Sequence, residues 1–239
     1  MHDRMMTIIL ITALTLAAFA APPADAAGDA VAQWQARLEK IQQELDAEDW
    51  RSARRQSTNV LDSLSRRVLS AGEVENRLFA EAALLRALAY AGSGDLEKAE
   101  WDWHTAASFD DAVAERDLAR FGEAGRTLDG ARRGYREASK EMPNFAGAGE
   151  TAGITPPRRK PSALPSPSGR SNLIAGGGGP VKIEAVINAE GRVVAPRLVE
   201  YSRPSRGFDA LDLIKKWRFT PATLDGKPVP VIYRLTVNF

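Results

Sequence analysis

The sequence predicts an α+β chain of more than one domain: an all-α N-terminal half, a Pro/Gly-rich linker, and a small β-β-α-β-β domain at the C-terminus. Three observations predict it. Apolar residues recur at helical spacing across residues 30–142. Residues 155–169 read TPPRRKPSALPSPSG and hold too few apolar side chains to build a core. Beyond residue 180 the apolar period shortens to two, the period of a strand. The expected boundaries are 1–26 for a leader, 27–145 for the helical domain, 146–179 for the linker and 180–239 for the C-terminal domain.

The leader carries a charged start (His2, Asp3, Arg4), an apolar run over residues 7–21, and Pro22-Pro23 ahead of Ala24-Asp25-Ala26. That order is the order of a secretory signal peptide with an A-x-A cleavage site, and it predicts removal after Ala26. The apolar run is short against the ~20 residues that span a bilayer. A competing reading keeps it uncleaved, as a membrane anchor.

Cysteine is absent, so no disulfide, zinc-thiolate site or thiol nucleophile is available. The net charge of +1 hides an asymmetry: residues 27–150 sum to −6 and residues 180–239 to +4. Such interspersed charge does not form the concentrated basic face that nucleic acid requires, so nucleic acid is not an expected partner.

In the helical half, Val31, Trp34, Leu38, Ile41 and Leu45 form one stripe. Trp50, Ala53, Val60, Leu64 and Val68 form a second, and Val74, Leu78, Leu85 and Leu88 a third. Ala99, Trp103, Ala106 and Asp111 are matched by Ala131, Tyr135, Ala138 and Pro143 at a constant offset of 32. Ala87, Tyr90 and Gly94 precede the first set at small, aromatic and turn positions. This pattern resembles a tetratricopeptide repeat, with a weaker copy around Trp50, Ala53 and Ser57. An irregular helical bundle fits the same stripes. The resemblance implies a concave surface that binds a protein segment. His104, without a carboxylate-histidine set near it in sequence, is expected to be a surface or groove residue rather than a metal ligand.

The proline-rich stretch is expected to act as a semi-rigid spacer, about 45 Å long at ~3.1 Å per residue. The glycines at 176–179 supply a joint; no Gly-Lys-Ser/Thr follows them, which excludes a phosphate loop.

In the C-terminal domain Val181, Ile183, Ala185 and Ile187 alternate with polar residues, and Gly191 closes a hairpin onto a second strand over residues 193–199. Pro196 predicts an exposed edge or a bulge there. Phe208, Leu211, Ile214 and Trp217 give one helix an apolar face. Val229, Val231, Tyr233, Leu235, Val237 and Phe239 fall on one face of the last strand. Trp217-Arg218-Phe219-Thr220-Pro221-Ala222, followed by Gly226-Lys227-Pro228-Val229, resembles the W-x-F-x-P-A and G-x-P-V signature of TonB C-terminal domains, with Gly191 in the hairpin ahead of it. The Tyr-Pro pair that commonly precedes the first strand of that family is absent.

The resemblance implies a periplasmic interaction protein whose last strand captures an extended peptide by β-augmentation, through Val231, Ile232, Tyr233, Arg234, Leu235, Thr236 and Val237. It implies an envelope protein or an outer-membrane receptor peptide as partner, with a homodimer compatible, and support of TonB-dependent transport. The signature residues Gly191, Trp217, Phe219, Pro221, Ala222, Gly226 and Pro228 are expected to be structural. The alternative is an energy transducer anchored in the inner membrane by an uncleaved leader. No Cys-His, HExxH, G-x-S-x-G or phosphate-loop pattern is present, so an enzyme, a cofactor, a metal and a small-molecule substrate are not expected.

Overall fold

The computed structural model describes residues 26–66, 72–146, 151, 153–161 and 179–239. The leader expected over 1–26 lies outside these residues except for Ala26, as do Val68, most of the proline-rich stretch and the glycines at 176–178. No helix among the described residues is long and apolar enough to cross a membrane.

Helices α1 (Ala26–Asp46) and α2 (Trp50–Ser65) form one hairpin, and α3 (Gly72–Gly92) and α4 (Leu96–Phe109) a second. Both turn in the same way. A left-handed residue, Glu48 (φ 56) or Gly94 (φ 81), is followed by an aspartate that caps the next helix. Asp49 accepts from the Ser52 N–H at 3.0 Å and Asp95 from the Lys98 N–H at 3.4 Å. Gly92 has no Cβ because Trp50 needs the space: a Cβ there would lie 2.6 Å from the indole. Ala53, Ala87, Ala99 and Ala106 are fully buried, as close helix approach requires.

The 32-residue repeat does not extend into a third hairpin. Two 3-10 turns, Asp111–Glu115 and Ala119–Phe121, lead into the single helix α5 (Gly122–Ser139). Ala138 of α5 is exposed, so the small residue there serves no helix contact.

The C-terminal half holds a three-stranded antiparallel sheet in the order β4-β3-β8, from β3 (Val181–Ile187), β4 (Val193–Glu200) and β8 (Val231–Val237), covered by α6 (Pro204–Ile214). A register shift between Glu184 and Val186, with Ala195 at φ 46, places a bulge beside Pro196. Between α6 and β8 run the short strands β5 (Phe219–Thr220), β6 (Ala222–Leu224) and β7 (Lys227–Val229). Val229 therefore belongs to β7 rather than to the last strand, and Phe239 is exposed.

Two sets of contacts tie the parts of the chain together. Part of the proline-rich segment is docked: β1 (Ile154–Thr155) pairs with β6, and β2 (Arg158–Arg159) pairs with β5. Its poor apolar content rules out a core but not backbone pairing. The helical and sheet halves also share one hydrophobic core. Phe79 of α3 stacks on Phe109 of α4 at 5.1 Å and meets Phe208 of α6 at 5.3 Å, while Tyr201 packs edge-on against Phe109 at 5.9 Å. Tyr201 donates its hydroxyl to Asn76 at 3.2 Å, and Arg192 pairs with Glu97 at 2.8 Å.

Candidate partner-binding edge

A sheet with β3 at its centre has two outer strands, and each presents a row of backbone groups. Along β4 this row is met by α4: Ser108 Oγ accepts from the Leu198 N–H at 3.1 Å while donating to the His104 carbonyl at 2.9 Å. Along β8 the inner row pairs with β3 from Val231 to Val237 without a break. In an antiparallel pair alternate residues direct their backbone groups inward and outward. Ile232 sets the phase. Its N–H donates to the Pro143 carbonyl at 2.9 Å, and its carbonyl accepts from the Phe145 N–H at 2.8 Å. Arg234 and Thr236 share that phase, and among the described residues their outward groups have no backbone partner.

The seven residues expected to bind a partner therefore divide by geometry. Val231, Leu235 and Val237 are buried on the α6 side, where Ile183 and Ile187 also lie. Tyr233 is half-buried, with Phe145 at 6.2 Å on one side and Phe219 at 6.4 Å on the other. Ile232 is engaged by the chain itself, leaving Arg234 and Thr236 as the exposed pair whose outward groups are unmet among the described residues.

The solvent face of the sheet carries a ladder of charge. Glu184 on β3 accepts from Arg234 on β8 at 2.7 Å and from Arg197 on β4. Burial pushes its carboxyl upward, but the hydrogen bonds from Arg234 and Arg197 outweigh this and hold it below its usual value. Lys182 and Glu200 add a second cross-strand pair at 2.6 Å.

The signature residues gather away from this edge. Gly191 sits at φ +74, where a Cβ would lie 1.9 Å from the Phe219 carbonyl oxygen, so the hairpin can reach the 217–222 segment only through glycine. The Phe219 N–H closes the contact on the Gly191 carbonyl at 2.8 Å. Trp217 and Phe219 are buried, Ala222 fully so, and Arg159 of the docked segment lies 4.0 Å over the Trp217 ring. Asp225 (φ 51) and Gly226 (φ 76) make the turn between β6 and β7. Pro228 is tolerated because β7 is an outer strand, and Pro221 lies between β5 and β6.

Two features escaped the sequence. Arg86 and Asp102, on α3 and α4, form a buried bidentate pair at 2.6 and 2.8 Å, with no local spacing to betray it. His104 is buried rather than on a surface or in a groove, edge-on to Trp103 at 4.6 Å and Tyr135 at 4.4 Å. Burial drives its pKa down to about 3, so it is neutral at physiological pH. A cleft of about 220 Å³ lies on the seam between the halves, lined by Glu100, Trp101, Arg192, Lys215 and Arg218 among others.

Residues 173–239 match the family model described as Gram-negative bacterial TonB protein C-terminal. No curated protein and no solved structure matches the chain.

Proposed function

We propose that this chain, whose residues 173–239 match the TonB C-terminal family, is a non-enzymatic protein of the periplasm that captures an extended partner segment on the outer edge of β8. TonB C-terminal domains work in envelope transport through interactions with outer-membrane receptors and other envelope proteins, and the partner belongs to that class. The observation that carries the reading is the pair of outward backbone sites at Arg234 and Thr236, unmet among the described residues, on an outer strand of the sheet. Backbone hydrogen bonds supply the affinity of such an addition, and the side chains of alternate residues its selectivity.

A photo-crosslinking residue placed at Arg234 in intact cells should capture a discrete envelope protein. Thr236→Pro, which deletes the outward donor, should abolish that capture while the helical content stays unchanged by circular dichroism. Undiminished capture would reject this edge.

The anchored-transducer alternative needs the leader to persist and a spacer to reach across the periplasm. The docking of β1 and β2 onto β6 and β5 shortens any such spacer, which favours the first reading. Mass spectrometry of the mature N-terminus decides it: a start near Ala27 excludes the anchor.

A further inference from the structure

The contact at Ile232 has the form of a strand addition made by the chain on itself. Residues 143–145 run parallel to β8, with Asn144 opposite Ile232. The Pro143 carbonyl and the Phe145 N–H bracket Ile232 at 2.9 and 2.8 Å, the pattern of one rung of a parallel ladder. Phe145 rests half-buried beside Tyr233. Among the described residues this is the one rung, and the Asn144 side chain accepts from the Ala146 N–H at 2.7 Å, an Asx turn that bends the chain at this point. Ile232 is thus occupied by residues 143–145, which among the described residues make no backbone hydrogen bond to Arg234 or Thr236.

We propose that residues 143–145 are a resident competitor for the β8 edge, which a partner strand pairing with Ile232, Arg234 and Thr236 together must displace. This inference rests on the strand-capture reading above. The resident holds one rung and a competing strand gains three. The segment lies only a few residues beyond the end of α5 at Ser139. Occupancy of the edge by its own chain reduces the apparent affinity for any strand in proportion to the fraction of time the edge is vacant.

The segment supplies its own probe, a synthetic peptide of residues 140–146 (Lys-Glu-Met-Pro-Asn-Phe-Ala) added in trans. A variant carrying Pro143→Gly, Asn144→Ser and Phe145→Gly should bind this peptide at least about tenfold more tightly than the unaltered chain. Backbone amide shifts should then appear at Ile232, Tyr233 and Arg234. The cysteine-free chain allows a lock in the other direction: Asn144→Cys with Ile232→Cys, which oxidation should close to the peptide and reduction reopen. Equal binding by the opened, oxidised and unaltered forms would overturn the competitor and leave strand capture standing. No binding by the opened form, shown folded by its thermal transition, would also overturn it. Loss of crosslinking at Arg234 in every form would instead overturn strand capture itself.

Discussion

The two outer strands of the sheet are protected by different means. β4 is closed by tertiary structure: α4 lies against it, Ser108 takes up the Leu198 N–H, and behind that contact the aromatic cluster of Phe79, Phe109, Tyr201 and Phe208 joins both halves. Among the described residues, β8 is closed by a single rung from residues 143–145 and is unmet beyond it. An uncovered strand edge is a hazard that proteins remove unless it is used. A strand sealed into a shared core can open only by unfolding, whereas one sealed by two hydrogen bonds, each worth roughly 0.5–1.5 kcal/mol net, opens at equilibrium. The asymmetry is the ground on which β8 is proposed as the working edge.

The largest expected effect comes from breaking the closed side. Phe79 is fully buried and its ring meets both Phe109 and Phe208. Phe79→Ala should destabilise the protein by about 3–5 kcal/mol through lost transfer energy and a cavity. Helices and sheet should melt earlier in a single transition, read by calorimetry and circular dichroism together. Two separate transitions, with the sheet unaffected, would mean that the halves are independent and β4 is not sealed by the core.

A smaller effect follows from the titrating groups on the closed side. His104 has its pKa lowered by burial from 6.5 to about 3, so below pH 6.5 the unfolded chain takes up a proton that the folded chain refuses. Stability from this group is complete above pH 6.5 and is lost as pH falls toward 3, with a limiting slope of about 1.4 kcal/mol per pH unit. Glu75 acts in the opposite sense. Burial raises its pKa from 4.5 to about 7 against the pull of Arg203, so it costs stability as pH rises from 4.5 through 7. Thermal melts across pH 4 to 8 should peak between these limits. His104→Gln should flatten the acid limb and Glu75→Gln the alkaline limb, and an unchanged profile in either variant would remove that group from the account.

The same contrast explains what the sequence made legible. The order β3, β4, α6 and then the last strand follows from local periodicity, and the tryptophan-phenylalanine-proline signature carried the resemblance to the family whose model matches residues 173–239. These are features a short window contains. The seam is not. Phe79 and Phe208 lie far apart in the chain, and each reads locally as the inward residue of its own helix. His104 looked like a surface or groove residue because the cover over it, Tyr135, comes from a different helix. The docked residues 154–159 looked like spacer because their partners, β5 and β6, are themselves too short to announce a strand. At the candidate edge, the alternation fixed which side chains of β8 point inward. Nothing in the pattern showed that Ile232 would be met by Asn144.

The smallest expected effect tests the solvent face of β8. Arg234 reaches Glu184 at 2.7 Å, but its side chain is 45% exposed, and exposed pairs are worth at most about 1 kcal/mol because water screens them and the side chains lose freedom. A double-mutant cycle with Arg234→Ala and Glu184→Ala should therefore give a coupling below about 1 kcal/mol. It should shrink further between 0.1 and 1 M salt, where the screening length falls from about 10 to about 3 Å. A coupling well above that value, and insensitive to salt, would mean that this face is covered in solution. β8 would then be as closed as β4, and the asymmetry from which its role was inferred would disappear.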